Sequence, residues 1–149
     1  MTATYDRLGI KFLYPENWKL IDEIDTDLPH VISLETPDGS TTWSVHVYPT
    51  DSDGDEILKE TLTTLMDTYE DCEVSKLKNE VGGHVAEGVD VLFYCLDFLI
   101  RAQIKLIQTE PYLIIVWQQA EDRDFDKQQM VFEAITISLL QAIQSDSGM

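Results

Sequence analysis

The sequence predicts an α+β protein, a mainly antiparallel β-sheet flanked by helices. Three observations carry that reading. Apolar and polar residues alternate on both sides of a Thr36-Pro37-Asp38-Gly39 turn, the pattern of a β-hairpin. Three long runs follow between Val89 and Gln119, and the first and last are apolar on both faces, which demands cover on both sides of a sheet. Two further segments repeat their apolar residues at the i, i+3, i+4 spacing of an amphipathic helix.

The elements follow in order. Ile10, Phe12 and Tyr14 alternate with Lys11 and Leu13 as a strand, and Pro15 ends it because proline brings no N–H to a ladder. Trp18 and Leu20, with Lys19 and Ile21 on the other side, read as a second short strand after a tight turn. Phe12, Tyr14 and Trp18 thereby anchor both strands on the core. Val31–Glu35 is a third strand. After the Pro-Asp-Gly turn, Trp43, Val45 and Val47 alternate with Ser44, His46 and Tyr48 and complete the hairpin. Asp51-Ser52-Asp53-Gly54 is a loop that offers helix caps. Ile57, Leu58, Thr61, Leu62, Leu65, Met66 and Tyr69 then mark a helix with acidic residues in its first turn, where the helix dipole favours them. Cys72–Lys78 reads as an edge strand, Gly82-Gly83 as a turn, and Val89–Asp97, Arg101–Gln108 and Tyr112–Gln119 as three strands, with Thr109-Glu110-Pro111 turning between the last two. Phe125, Phe132, Ile135 and Leu139 form the apolar stripe of a second helix with an acidic start at Glu121-Asp122-Arg123-Asp124. Ser145–Met149 reads as a frayed tail.

A length of 149 residues suits one domain spanning 1–149. Ten basic against 28 acidic residues give a net charge of −18. That charge repels nucleic acid and anionic membranes and favours a basic protein or peptide as partner. It also opposes self-association, so a monomer is expected, with Glu73, Lys76 and Lys78 guarding the edge strand. Met1–Arg7 has neither a basic segment nor an apolar core of a signal peptide, and Asp97, Arg101 and Lys105 interrupt the apolar runs, so a cytoplasmic protein with free thiols at Cys72 and Cys95 is expected.

The order strand, YPENW turn, strand, PDG hairpin, helix, Gly-Gly turn, three strands and closing helix resembles the Mog1/PsbP-like family. FLYPENWK at Phe12–Lys19, VGG at Val81–Gly83 and VFEAITISLL at Val131–Leu140 carry the resemblance, which covers nearly the whole chain. It implies an α/β/α sandwich and a non-enzymatic role, such as that of the Ran-binding adaptors or of the accessory subunits of the photosystem oxygen-evolving complex. The missing export signal departs from the photosystem branch. No family binding residue matches position by position, so none is transferred.

No catalytic or metal-binding motif stands at the required spacing in the sequence. Asp51, Asp53 and Asp55 start like a calcium loop, but an EF-hand needs Gly at its sixth place and Glu at its twelfth, where Glu56 and Leu62 stand. His30, His46 and His84 form no metal-binding spacing with each other or with the cysteines, so no metal and no cofactor is expected. Cys95 and Asp97, two residues apart on one expected strand, would share a face, but their surroundings are too apolar for a reactive thiolate.

Two functional expectations remain. The first is an adaptor that binds its partner through an acidic cluster beside an exposed apolar patch. Four clusters qualify: Asp22/Glu23/Asp25/Asp27, Asp51/Asp53/Asp55/Glu56, Asp67/Glu70/Asp71/Glu73 and Glu121/Asp122/Asp124/Asp126. The loop carrying Asp22, Glu23, Ile24, Asp25, Asp27 and Leu28 is the first choice, because Ile24 and Leu28 have no evident core role. The alternative is a small-ligand-binding protein or minor enzyme with a pocket at one end of the sheet. Polar residues on apolar strands mark that pocket: Tyr94, Asp97, Arg101 and Gln118, with Gln119; the competing reading pairs them internally, Asp97 with Arg101.

Overall fold

The computed structural model describes residues 1–23 and 30–147. A strand absent from the sequence reading opens the chain. This is β1 (Thr2–Arg7), which pairs antiparallel with β2 (Ile10–Pro15) as a separate two-stranded sheet. Its six residues bury only Tyr5 fully, so no apolar alternation betrays it. The two strands flanking the Pro15 turn therefore part company. Trp18 N–H closes the turn on the Pro15 carbonyl at 3.0 Å, and β3 (Lys19–Glu23) then enters the main sheet.

That main sheet has seven strands in the order β3-β4-β5-β9-β8-β7-β6, every neighbouring pair antiparallel. Its other strands are β4 (His30–Glu35), β5 (Thr42–Pro49), β6 (Glu73–Val81), β7 (His84–Cys95), β8 (Phe98–Gln108) and β9 (Tyr112–Glu121). β6 lies at an edge, as expected. Helix α1 (Gly54–Thr68) starts at Asp53, whose carboxylate accepts the Glu56 N–H, a normal N-cap. Helix α2 (Asp122–Ser147) continues through Ser145, Asp146 and Ser147, where the sequence predicts a frayed tail.

Alternation along the strands divides two cores. On one face Val89, Val91, Phe93, Ala102, Ile104 and Ile115 meet Leu65 and the partly buried Leu58 and Leu62 of α1. On the other, Val45, Ile107, Ile114 and Val116 meet Phe125, Phe132, Ile135 and Leu139 of α2. The β1–β2 hairpin completes this second layer: Phe12 packs on Trp43 at 5.1 Å between ring centroids, and Tyr5 stacks on Phe12 at 5.0 Å. The result is a helix–sheet–helix sandwich with one hairpin beside α2.

Strand limits also change one local expectation. Cys95 pairs with Phe98, so Leu96 and Asp97 form a two-residue hairpin loop. Asp97 therefore shares no strand face with Cys95, and β8 begins three residues earlier than the alternation suggested.

Candidate functional site

Tight two-residue hairpin loops need positive φ and usually recruit Gly, Asn or Asp for it. The β7–β8 loop uses Leu96, at φ 58°. A left-handed leucine costs about 1–2 kcal/mol through the clash of its Cβ with the backbone. Nothing buried repays that cost locally, because the Leu96 side chain is 89% exposed. Tyr94 and Phe98 beside it are 61% and 50% exposed. Single exposed apolar residues are ordinary, but here three fall within five positions of one protrusion: Leu96 at its tip, Tyr94 on its α2 face and Phe98, paired with Cys95, on its α1 face.

Strand register places carboxylates at the same end of the sheet as this apolar tip. Ile100 pairs with Glu121, which brings the start of α2 and its Asp122 to the same end of the sheet. Leu92 pairs with Glu73 on the opposite flank, just after Glu70 and Asp71. Asp97 sits in the loop itself. Residues of two of the four acidic clusters thus lie at this end of the sheet, on opposite flanks of the hairpin. The nearby cations are engaged: Arg123 Nε lies 3.0 Å from Glu121, Lys127 Nζ 3.7 Å from Asp124, and Arg101 Nη2 2.7 Å from Asp90.

Of the first-choice loop, Ile24, Asp25, Asp27 and Leu28 lie outside the described residues, and Glu23 is placed only by its backbone pairing with Val31. Asp22 faces inward. Its carboxylate accepts from Tyr5 Oη at 2.7 Å and Arg7 Nη1 at 3.3 Å, and bonds the buried His30 Nε2 at 3.1 Å. This network latches β1 onto β3 and β4. Burial first, then the Asp22 bond, raises the pKa of the Tyr5 hydroxyl above its ordinary value.

The four expected pocket residues separate in part. Tyr94, Arg101 and Gln118 share the α2 face of the sheet, while Asp97 stands in the loop. Arg101 pairs with Asp90, through Nε at 3.1 Å and Nη2 at 2.7 Å, and not with Asp97. The reason is register: Arg101 opposes Leu92, so Asp90 is its diagonal neighbour on the same face. Phe125 lies under the guanidinium at 4.7 Å, and Gln103 Nε2 donates to Asp90 at 3.2 Å. Gln118 opposes Gln103, and the carbonyl oxygens of both are buried without a hydrogen-bond partner among the described residues. Lys105 is buried on the same face, where desolvation lowers its pKa. Gln119 points the other way and accepts from Trp117 Nε1 at 3.0 Å. Sequence reasoning missed Asp90, Gln103 and Lys105; their alternation with Val91, Ala102 and Ile104 was a visible signal, but not that α2 would cover their face.

The remaining reactive groups do not assemble. His30, His46 and His84 bond locally to Asp22, Ser44 and the Gly82 carbonyl respectively, and no group of three metal-ligating side chains occurs among the described residues. Cys72 and Cys95 are free and half-buried, and burial raises the pKa of the Cys72 thiol. No described helix is long and apolar enough to cross a membrane.

No family model and no curated protein sequence matches the chain. Solved structures do. The cyanobacterial PsbP (CyanoP) of Synechocystis sp. PCC 6803 superposes with a TM-score of 0.60 at 15% identity, over 92% of this chain and 90% of that one. A Bacteroides thetaiotaomicron VPI-5482 protein gives 0.63 at 11% identity, over 91% of this chain and 46% of that one. PA94, a Pseudomonas aeruginosa protein of unknown function, gives 0.52 at 10% identity, over 93% and 95%. At these identities the likeness concerns architecture, and it agrees with the layers described above. The chain has the PsbP-like α+β fold, an antiparallel sheet between two helices.

Proposed function

We propose that this protein is a non-catalytic binding module that docks a basic protein or peptide on its β7–β8 tip. The observation that carries the reading is that Glu70, Asp71, Glu73 and Asp122 lie at the same end of the sheet as the exposed Tyr94, Leu96 and Phe98, with Glu121 already paired to Arg123. An apolar centre supplies affinity by losing water, and a charged rim supplies steering and selectivity. The partner that fits presents an apolar anchor flanked by Lys or Arg. The polar groups that could otherwise do chemistry support the non-catalytic reading, since Asp90 and Arg101 neutralise one another and Asp22 is held by three partners. The net charge of −18 favours a monomer, and the free thiols suit the cytoplasm.

The test compares partners captured from an extract by the native protein and by a Leu96→Ser/Phe98→Ser variant with an unchanged circular dichroism spectrum. A basic partner should be held by the native protein only, and its binding should weaken as salt rises from about 50 to 300 mM. Retention by the variant, or binding indifferent to salt, would refute the proposal.

A further inference from the structure

A cleft of about 550 Å³ opens at the end of the sheet opposite the β7–β8 tip. It lies where β5 ends, β7 begins and the β8–β9 turn passes α2. Its volume falls within the ordinary range of small-molecule sites. None of the residues singled out above for a pocket lines it.

The hydrogen-bond inventory of its walls is one-sided. Gln108 Nε2 donates to the Thr50 carbonyl at 3.3 Å, to Thr50 Oγ1 at 2.9 Å and to the Thr109 carbonyl at 2.9 Å. Thr50 Oγ1 donates to the Thr109 carbonyl at 3.0 Å, and Thr109 Oγ1 to the Tyr112 carbonyl at 2.6 Å. His84 Nδ1 lies 3.2 Å from the Gly82 carbonyl, which can only accept, so Nδ1 carries a proton and Nε2 is the ring nitrogen left for a ligand. Every side-chain donor on the cleft wall is therefore committed within the protein. The side-chain groups that no hydrogen bond among the described residues uses are Gln108 Oε1 and the Glu110 carboxylate, both acceptors, and His84 Nε2, an acceptor when the ring is neutral. Pro111 and the buried Ile143 add an apolar wall.

A ligand complementary to such walls donates hydrogen bonds, carries positive charge and has an apolar stem. We propose that this cleft binds an aliphatic primary ammonium. Glu110 supplies the countercharge, Gln108 Oε1 and His84 Nε2 take further N–H groups, and the methylene stem lies along Pro111 and Ile143. An ammonium has three donors, matching the three acceptor groups. A free diamine and the side chain of a lysine share this chemistry.

The test is an NMR titration of the ¹⁵N-labelled protein with 1,4-diaminobutane at about 150 mM salt, where diffuse attraction to the acidic surface is screened. The diol of the same length serves as control and Nα-acetyl-lysine methylamide as the second arm. Saturable shifts should appear at His84, Glu110 and the Gln108 side-chain amide with the amines and not with the diol. Tighter binding of the diamine assigns the site to a free amine, and tighter binding of the lysine derivative to a protein side chain. Glu110→Gln, at an exposed turn position, should keep the native spectrum and weaken binding about tenfold or more, the worth of a charge-assisted bond. Shifts that spread over the acidic helix starts without saturating, or a Glu110→Gln protein with native affinity, would overturn the proposal.

Discussion

The leucine at the β7–β8 tip makes a prediction about sign. Glycine is ordinarily about 0.5–1 kcal/mol worse than alanine inside a regular element, because it loses more chain entropy on folding. At Leu96 the order should reverse. The backbone there has φ 58°, so Leu96→Ala keeps the Cβ clash and Leu96→Gly removes it. Relief of about 1–2 kcal/mol is offset by about 0.4–1 kcal/mol of added unfolded-state entropy, which leaves glycine ahead by about 0.5–1 kcal/mol. Comparing the two variants cancels the small apolar contact of a side chain that is 89% exposed. For a chain of 149 residues the gap corresponds to a Tm difference of about 2 °C. Urea unfolding followed by tryptophan fluorescence, with calorimetry as a check, measures it. An alanine variant as stable as the glycine variant, or more so, would refute the claim that the tip is held in a strained conformation. Leu8, at φ 54° in the β1–β2 loop, should show the same reversal without any effect on partner binding, since it stands alone and not in an apolar cluster.

Three further outcomes are expected. Tyr5→Phe removes a buried donor to Asp22 and should cost about 1–2 kcal/mol at neutral pH by chemical denaturation. Because the Tyr5 pKa is raised in the folded state, its contribution is complete below about pH 10 and declines above it as the unfolded chain ionises first; the variant should lose stability less steeply there, with Tyr48 and Tyr69, also raised, supplying the residual slope. Gly88→Ala should be destabilised by about 3 kcal/mol or fail to fold, because a Cβ at that position falls inside contact with the Ile104 carbonyl of the neighbouring strand. Lys105→Met should gain about 1 kcal/mol at neutral pH, since burial disfavours the ammonium more than Glu133 and Asp90 favour it. The lowered Lys105 pKa makes that gain largest below it, and the gain should shrink as pH rises toward the ordinary lysine range.

Periodicity and turn chemistry, properties of short windows, were enough to reveal the β4–β5 hairpin, α1 and its cap region, the edge position of β6 and the α+β class. They fail where the local signal is weak or points elsewhere. Thr2–Arg7 is too polar to announce a strand. Leu96 occupies a turn position without turn chemistry, so Val89–Asp97 read as one uninterrupted strand. Asp22 belongs to an acidic string along the chain, yet its place opposite Ile32 turns it inward, toward Tyr5 and His30.

The amino-acid sequence alone determined which residues alternate, where the acidic clusters lie and that both faces of the sheet would be covered. Tertiary structure decided which clusters meet. Glu73 and Glu121 are far apart in the chain, and only the order β9-β8-β7-β6 places them on the two flanks of one hairpin. It likewise gathered Thr50, His84, Glu110 and Ile143 around one cleft. Strand order is set by the summed packing of two cores, and no window of a few residues contains that sum.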